Sequence, residues 1–458
     1  MNDTQEKYTK MFLSGPILGP LVRFALPLML SLLLQALYGG VDLAVVGQFS
    51  PTASVSAVAT GSQVMQSVTV LITGLTMGVT VLLGKAVGAN DAKAAGEVVS
   101  GQIRLFTIVA AALTFVMLLL APQAAQLMNV PEEALPETVR YVRICSAGIV
   151  FITAYNGISG VFRALGNSRS PFLFVLIACL MNVALDLLFV GVFGMNAAGA
   201  ALATVIAQAA SVFFSLAYTR RHPLPFAIGN PLRAGGAAIR GILRVGSPIA
   251  LQDFLTSLSF LIITSIVNGL GLIASAAVGI AEKLYVFLSI VPMAFMSALS
   301  TFVAQNMGAG NKKRSERSLF LAQGISLCFG AAMFVLTFCF GGFLASFFGK
   351  DPDVIAATAE YLHGSAWEYL MIPLTFCFLG YFNGREHTAF VMLQGLLSAF
   401  LVRIPLSSYL SQLPNTGMFM ISLAIPFSGL VNLLLCIAYF CFLRHRDRKT
   451  PLSEGYRG

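Results

Sequence analysis

VSAVATGSQVMQSVTVLITGLTMGVTVLL, residues 55–83, runs without a single charged side chain. It exceeds the ~20 apolar residues that an α-helix needs to cross a bilayer. Outward from it the pattern recurs, with approximate spans at 24–49, 105–120, 141–162, 172–193 and 197–218. After an Arg-rich linker come 245–270, 273–303, 319–348, 361–382, 389–410 and 417–443. The expectation is an all-α integral membrane protein of about twelve transmembrane helices. Composition agrees, because 57% of residues are hydrophobic and only 10% are charged, against roughly 25% charged in soluble domains. The longest spans exceed what a perpendicular helix requires and imply tilt or protruding ends. The first apolar run follows the polar stretch Met1 to Lys10 and is much longer than the ~7–15-residue core of a signal peptide, so no cleavable leader is expected.

The formal net charge of +9 is unevenly placed. Lys85, Lys93 and Arg104 follow the second span, Arg163 and Arg169 the fourth, and Arg220, Arg221, Arg233, Arg240 and Arg244 the sixth. Lys312, Lys313, Arg314 and Arg317, then Arg385, then the tail from Arg444 to Arg457 continue the series. The intervening loops hold the acids Glu132, Glu133, Glu137, Asp351 and Asp353, with Arg140, Arg143 and Lys350. This is the positive-inside pattern, with both termini cytoplasmic in the plasma (inner) membrane, and it leaves the basic balance without any need for nucleic acid. The seven cysteines all sit in apolar runs, odd in number and without CxxC spacing, so buried free thiols are expected rather than disulfides or a metal site.

The chain also repeats itself at an offset of about 220 residues. Gly88-Ala89 matches Gly308-Ala309, Tyr141 matches Tyr361, Gly160 matches Gly380 and Phe162 matches Phe382, while Pro27 and Pro248 are one residue out of phase. Six helices per half give both halves the same orientation. They form parallel repeats about an axis along the membrane normal, as in alternating-access carriers. The domains expected are an N-terminal lobe over 1–219, a cytoplasmic linker over 220–241 and a C-terminal lobe over 242–458.

Charges inside a bilayer cost roughly 2.5–3.5 kcal/mol on insertion scales, so each needs a reason. Asp42 lies in the first span. Asn182 and Asp186, four apart in the fifth, share one helix face. Thr204 ends the small-residue run Gly199-Ala200-Ala201-Leu202-Ala203-Thr204 in the sixth, which permits close helix contact. All four offer oxygen, which suits a hard cation or a proton, and two neighbouring buried carboxylates resist ionising together. The second half has Ile263 (or Ile262), Val402, Leu406 and Ala424 at the matching positions, so coupling chemistry is assigned to the N-terminal half. Asp253, Glu282, Lys283 and Arg403 are the charges of the other half. Asp253 and Glu282 are candidate contacts for a cationic substrate, with a structural network to Lys283 or Arg403 as the alternative. His363, Trp367 and Glu368 read as rim or cavity lining. Prolines 27, 248, 292, 373, 405 and 426 invite kinks. No GxxxxGK[ST] loop, nucleophile elbow or His/Cys cluster occurs, so neither direct ATP drive nor enzymatic chemistry is expected, and no cofactor beyond a coupling ion.

At these residues the chain resembles the multidrug and toxic compound extrusion (MATE) family. The likeness rests on Val41-Asp42 with Val46-Gly47, Gly84 through Gly88-Ala89, Asn182-x-x-x-Asp186, the Gly199–Thr204 run, Ala281-Glu282-Lys283-Leu284 and Gln305-Asn306-x-Gly308-Ala309. It implies two six-helix lobes exporting amphipathic organic cations in exchange for sodium ions or protons. Asp42, Asn182, Asp186 and Thr204 would hold the coupling cation, and Gln35 and Tyr141 would lie near the drug cavity. Asp253 sits nearer the start of its helix than the acids some branches carry there. The partners expected are small organic cations and membrane lipids, with the protein acting as a monomer. A lipid-linked precursor flippase of related fold is the alternative, and it calls for a cationic cavity. The other large six-plus-six class would carry Gly-x-x-x-Asp-Arg-x-Gly-Arg after the second helix, where this chain reads Gly84-Lys85-Ala86-Val87-Gly88-Ala89-Asn90-Asp91.

Overall fold

The computed structural model describes residues 11–233, 235–348, 350–414 and 416–449; the polar stretch Met1 to Lys10 and the tail charge Arg457 lie outside them. Every regular element among these residues is helical. Span 1 is Leu18–Phe49, span 2 Thr52–Gly88 and span 3 Ala92–Leu127. Span 4 is two pieces, Leu135–Ala147 and Ile149–Ala164, bent by 47° at Gly148. Span 5 is Arg169–Asp186 continued by the π-helical turn Leu187–Val192, and span 6 is Asn196–Arg221. Spans 7, 8 and 9 are Gly236–Asn268, Leu272–Gly308 and Lys312–Ser346. Span 10 is the pair Pro352–Ser365 and Glu368–Gly384. Span 11 runs from Thr388 to Ser411 through a second π-helical stretch, Leu397–Arg403, and span 12 from Met418 to Lys449. Ten helices among the described residues are long and apolar enough to cross a membrane, eleven with the bent fourth span. The remaining expected span, the tenth at 361–382, falls on the pair that makes up span 10, of 14 and 17 residues.

Helix ends follow local chemistry. The Asp91 side chain accepts from Ala94 N at 2.9 Å and caps span 3, after Asn90 turns the chain at φ 56°. Asp351 caps span 10 through Asp353 N at 3.0 Å, with Pro352 in the first helical position. Charges read as loop residues, Lys85, Arg104 and Arg163 among them, belong to helices that extend a turn or more past the apolar run. Side chains such as Phe115, Leu180 and Phe213 are exposed, as helices facing hydrocarbon require. The cysteine expectation is corrected in part. All seven are free thiols, but only Cys145, Cys377 and Cys436 are buried; Cys179 is half-buried and Cys328, Cys339 and Cys441 lie exposed on their helices. An apolar run does not by itself say whether a residue faces protein or lipid.

The described chain divides into two compact units. The first holds the residues up to Phe254 with Met293–Ala322 and Gly380–Ala389; the second holds Leu255–Pro292, Gln323–Leu379 and the remainder from Phe390. In the first unit, spans 2, 7 and 8 touch backbone to backbone. A Cβ at Gly78 would lie 2.7 Å from Gly246 Cα, and one at Gly74 would strike the backbone of Ala250. A Cβ at Gly88 would collide with the carbonyl of Gln305, and one at Gly308 with the carbonyl of Lys85. Those two contacts exchange under the repeat offset, and Gly84 meets its own counterpart, Ala304. Equivalent residues meeting each other mark a pseudo-two-fold axis between spans 2 and 8.

Candidate functional site

Asp42, Asn182, Asp186 and Thr204 converge from spans 1, 5 and 6 in the first unit, as their sequence positions predicted. Asn182 and Asp186 are fully buried and Asp42 is 5% exposed. Only one orientation of the Asn182 amide is chemically consistent. In it the amide nitrogen donates to Asp42 Oδ1 at 2.7 Å and to Asp186 Oδ2 at 3.2 Å. One neutral side chain therefore bridges two acids. The π-helical turn of span 5 begins at the residue after Asp186, and such turns recur at functional sites because they locally re-aim side chains.

Three buried oxygens here, Asp186 Oδ1, Thr204 Oγ1 and Tyr38 OH, have no hydrogen-bond partner within 3.5 Å, although Thr204 faces both Tyr38 and Asp42 at longer range. An unsatisfied buried polar atom costs about 1–3 kcal/mol, so three together are expensive unless something positive completes the site. The donor set, two carboxylates with neutral oxygens, fits a hard monovalent cation or a proton. Tyr38 was not singled out from sequence, although its position four residues before Asp42 places both on one helix face.

A cavity of about 400 Å³ adjoins this cluster, within the usual range for small-molecule sites. Asp42, Tyr38 and Thr204 line it, as do the candidates Gln35, Tyr141 and Asp253. Met65, Met77, Met293 and Met296 supply adaptable apolar wall. On span 2 the lining stops at Met77, and the Gly78, Gly84 and Gly88 contacts close the bundle beyond it. Arg163 also lines the cavity; its sequence position reads as a loop charge, yet it lies in the last turn of span 4.

Glu282 stands elsewhere, in the second unit. It accepts a hydrogen bond from Thr264 Oγ1 at 2.8 Å and lines a small cavity of about 30 Å³ with Glu368 and Tyr361. Arg403 donates to Ser428 Oγ at 3.0 Å and lies 4.9 Å above the Phe260 ring, another wall of that small cavity. His363 and Trp367 pack on Phe338.

Ten or eleven apolar spans among the described residues, with a buried oxygen cluster beside a small-molecule cavity, are the make-up of a membrane transporter. The family is marked by the sequence itself: the MatE family model matches residues 27–188 and again 248–409. The chain belongs to the MatE family of multidrug and toxic compound extrusion transporters. The matches begin one residue further apart than the 220 read from the glycine pairs. At that offset Arg403, not Val402, stands opposite Asn182, while Ile263 and Ser407 stand opposite the two acids. The carboxylates still have no counterpart.

Similar proteins include the probable multidrug resistance protein YpnP of Bacillus subtilis (strain 168), 28% identical over 96% of this chain and 98% of its own. The FAD transporter of Shewanella oneidensis is 24% identical, covering 93% and 94%. The multidrug export protein MepA of Staphylococcus aureus (strain MSSA476) is 22% identical, covering 87% and 88%. Among solved structures, a MATE in complex with MaL6 has a TM-score of 0.89 at 20% identity, covering 98% of this chain and 100% of its own. An outward-facing multidrug resistance MATE transporter gives 0.89 at 20% identity, covering 98% and 99%.

Proposed function

We propose that this chain exports amphipathic organic cations by antiport against protons or sodium ions, alternating access to the cavity of its first unit. The observation that carries the reading is the set of three unpartnered buried oxygens beside Asp42 and Asp186, which a bound cation would satisfy. The Asn182 bridge holds the two acids near one another. Because the cluster shares Asp42, Tyr38 and Thr204 with the cavity wall, cation and substrate would compete for the same space and field, which is the physical basis of exchange. The multidrug names of the relatives from Bacillus and Staphylococcus support the substrate class. The lipid-linked precursor flippase calls for a cationic cavity, and this one pairs Asp42 and Asp253 with the single cation Arg163. Both termini are assigned to the cytoplasm, on the side of the basic loops, with lobes over 1–219 and 242–458 joined by 220–241 and the monomer as the working unit.

The test is dye efflux from proteoliposomes with sodium and pH gradients imposed separately. One gradient should drive efflux and the other should not. Efflux that needs neither, or no efflux under any gradient, would overturn antiport.

A further inference from the structure

We propose that Arg163 is a specificity-determining residue of the cavity: it receives an acidic group, a carboxylate, sulfonate or phosphate, on the exported molecule. The proposal rests on the reading of this cavity as the substrate site and adds a chemical requirement to it.

A guanidinium inside a membrane bundle needs compensation, and Arg314, Arg385 and Arg403 each have at least one hydrogen bond, although Arg385 Nε and Arg403 Nη1 are also buried without a partner. Arg314 donates through Nε to Phe12 O at 2.9 Å, through Nη1 to Gly15 O at 2.8 Å and through Nη2 to Ser14 O at 3.1 Å. Arg403 donates to Ser428. Arg163 does neither: its Nε is buried without a partner, and it makes no hydrogen bond and no ion pair with any described residue. Arg163 lines the cavity instead. An arginine kept for packing alone would be expected to reach a carbonyl, as Arg314 does three times.

The surroundings fit an anion. Tyr155, Ser159 and Arg163 are four apart, so they lie on one face of span 4, and all three line the cavity. Ser159 Oγ is buried without a partner too. A phenol, a hydroxyl and a guanidinium in one column can all donate, and the planar guanidinium matches a carboxylate or phosphate with two parallel hydrogen bonds. Asn383, at the repeat-equivalent position in span 10, lines the same cavity. The second repeat therefore adds no competing charge at that site.

The acids lie well away from Arg163. Tyr141 and Cys145, the cavity-lining residues of span 4 nearest Asp42, precede Arg163 by about five helical turns, so on the order of 25 Å separates the two levels. Asp253 is nearer. Ala250 packs on Gly74 and Gly160 packs on Thr76, which leaves Arg163 about two turns deeper along span 2 than Asp253. The cavity is negative at the ion cluster and positive at its closed end. A molecule whose acidic and cationic groups stand on the order of 10 Å apart would reach Arg163 with one and Asp253 with the other.

A matched dye pair isolates the contact: rhodamine 6G, an ester, and rhodamine 19, the same fluorophore as the free acid. Efflux from proteoliposomes and binding to the purified protein by fluorescence polarisation are measured for wild type, Arg163→Gln and Arg163→Lys. Arg163→Gln should lower efflux and affinity for the free acid at least tenfold and change those for the ester less than twofold, with Arg163→Lys in between. Equal losses for both dyes would assign Arg163 a purely structural role, and unchanged free-acid binding would remove the contact; either overturns the proposal. If wild type exports neither dye, the transport reading fails, while the binding comparison still decides for or against Arg163.

Discussion

Asp42→Asn removes one charge from the cluster while keeping its volume and its hydrogen-bonding capacity. The size of the effect follows from the geometry. Asp42 Oδ1 and Asp186 Oδ2 lie 2.7 and 3.2 Å from the same Asn182 nitrogen, so a cation held between the carboxylates would sit about 4 Å from each charge. At that distance, and at the effective dielectric of about 20 that describes protein sites, one carboxylate contributes about 4 kcal/mol. Removing a buried charge also removes its desolvation cost, which offsets part of the loss. The net weakening should fall between tenfold and a thousandfold, at 1.4 kcal/mol per decade. The measurement is the concentration of driving cation that gives half-maximal dye efflux, in proteoliposomes holding equal amounts of folded protein. Asp186→Asn should shift it by a similar factor. The double variant should lose less than the product of the two, because the sites share one ligand and one bridge. Wild-type cation dependence in both single variants would refute the cluster as the coupling site.

Other consequences follow from the same contacts. Asn182→Leu deletes both bridging hydrogen bonds and leaves two carboxylate oxygens facing each other, so melting in detergent should fall by about 2–3 kcal/mol, and saturating driving cation should recover part of it. Gly88→Ala pushes a methyl into the Gln305 carbonyl; a loss of about 1–3 kcal/mol and slowed efflux are expected. Gly324→Ala, with nothing within 4 Å of its added Cβ, should be neutral or stabilising by up to about 1 kcal/mol. Arg314→Ala frees the carbonyls of Ser14 and Gly15 and leaves Phe12 O to Asn306 alone, and proteolysis ahead of span 1 should quicken several-fold. Unchanged cleavage would mean that the buried Phe12 ring, packed 5.2 Å from both Phe24 and Phe302, and the Asn306 hydrogen bond to Phe12 O hold the segment without Arg314.

Much of the site was legible in the residues. Acids are so costly in hydrocarbon that Asp42 and Asp186 announced themselves. The i, i+4 spacing put Asn182 with Asp186 before any coordinate did. Tyr38 carried the same signal at the same spacing from Asp42 and went unread, because a tyrosine in an apolar span has no cost that demands explanation. Glu282 and Asp253 looked alike as intramembrane acids, yet one faces the small cavity of the second unit and the other the large cavity of the first. Helix direction along a span does not say which neighbour a face meets.

Arg163 shows the same limit from the opposite side. At the edge of an apolar run its charge reads as a loop signal, and only the extension of span 4 past that run turns it into the cavity. By itself the sequence determined the membrane class, the two-fold repeat, the family and the polar residues of the buried cluster. These depend on composition, period and the price of charge in lipid, all of which are local. Only the tertiary structure decided that one amide bridges two acids, that three oxygens beside them lack partners, and that glycines of spans 2, 7 and 8 close the cavity below Met77. Those depend on which helix faces meet, a property that no single span contains.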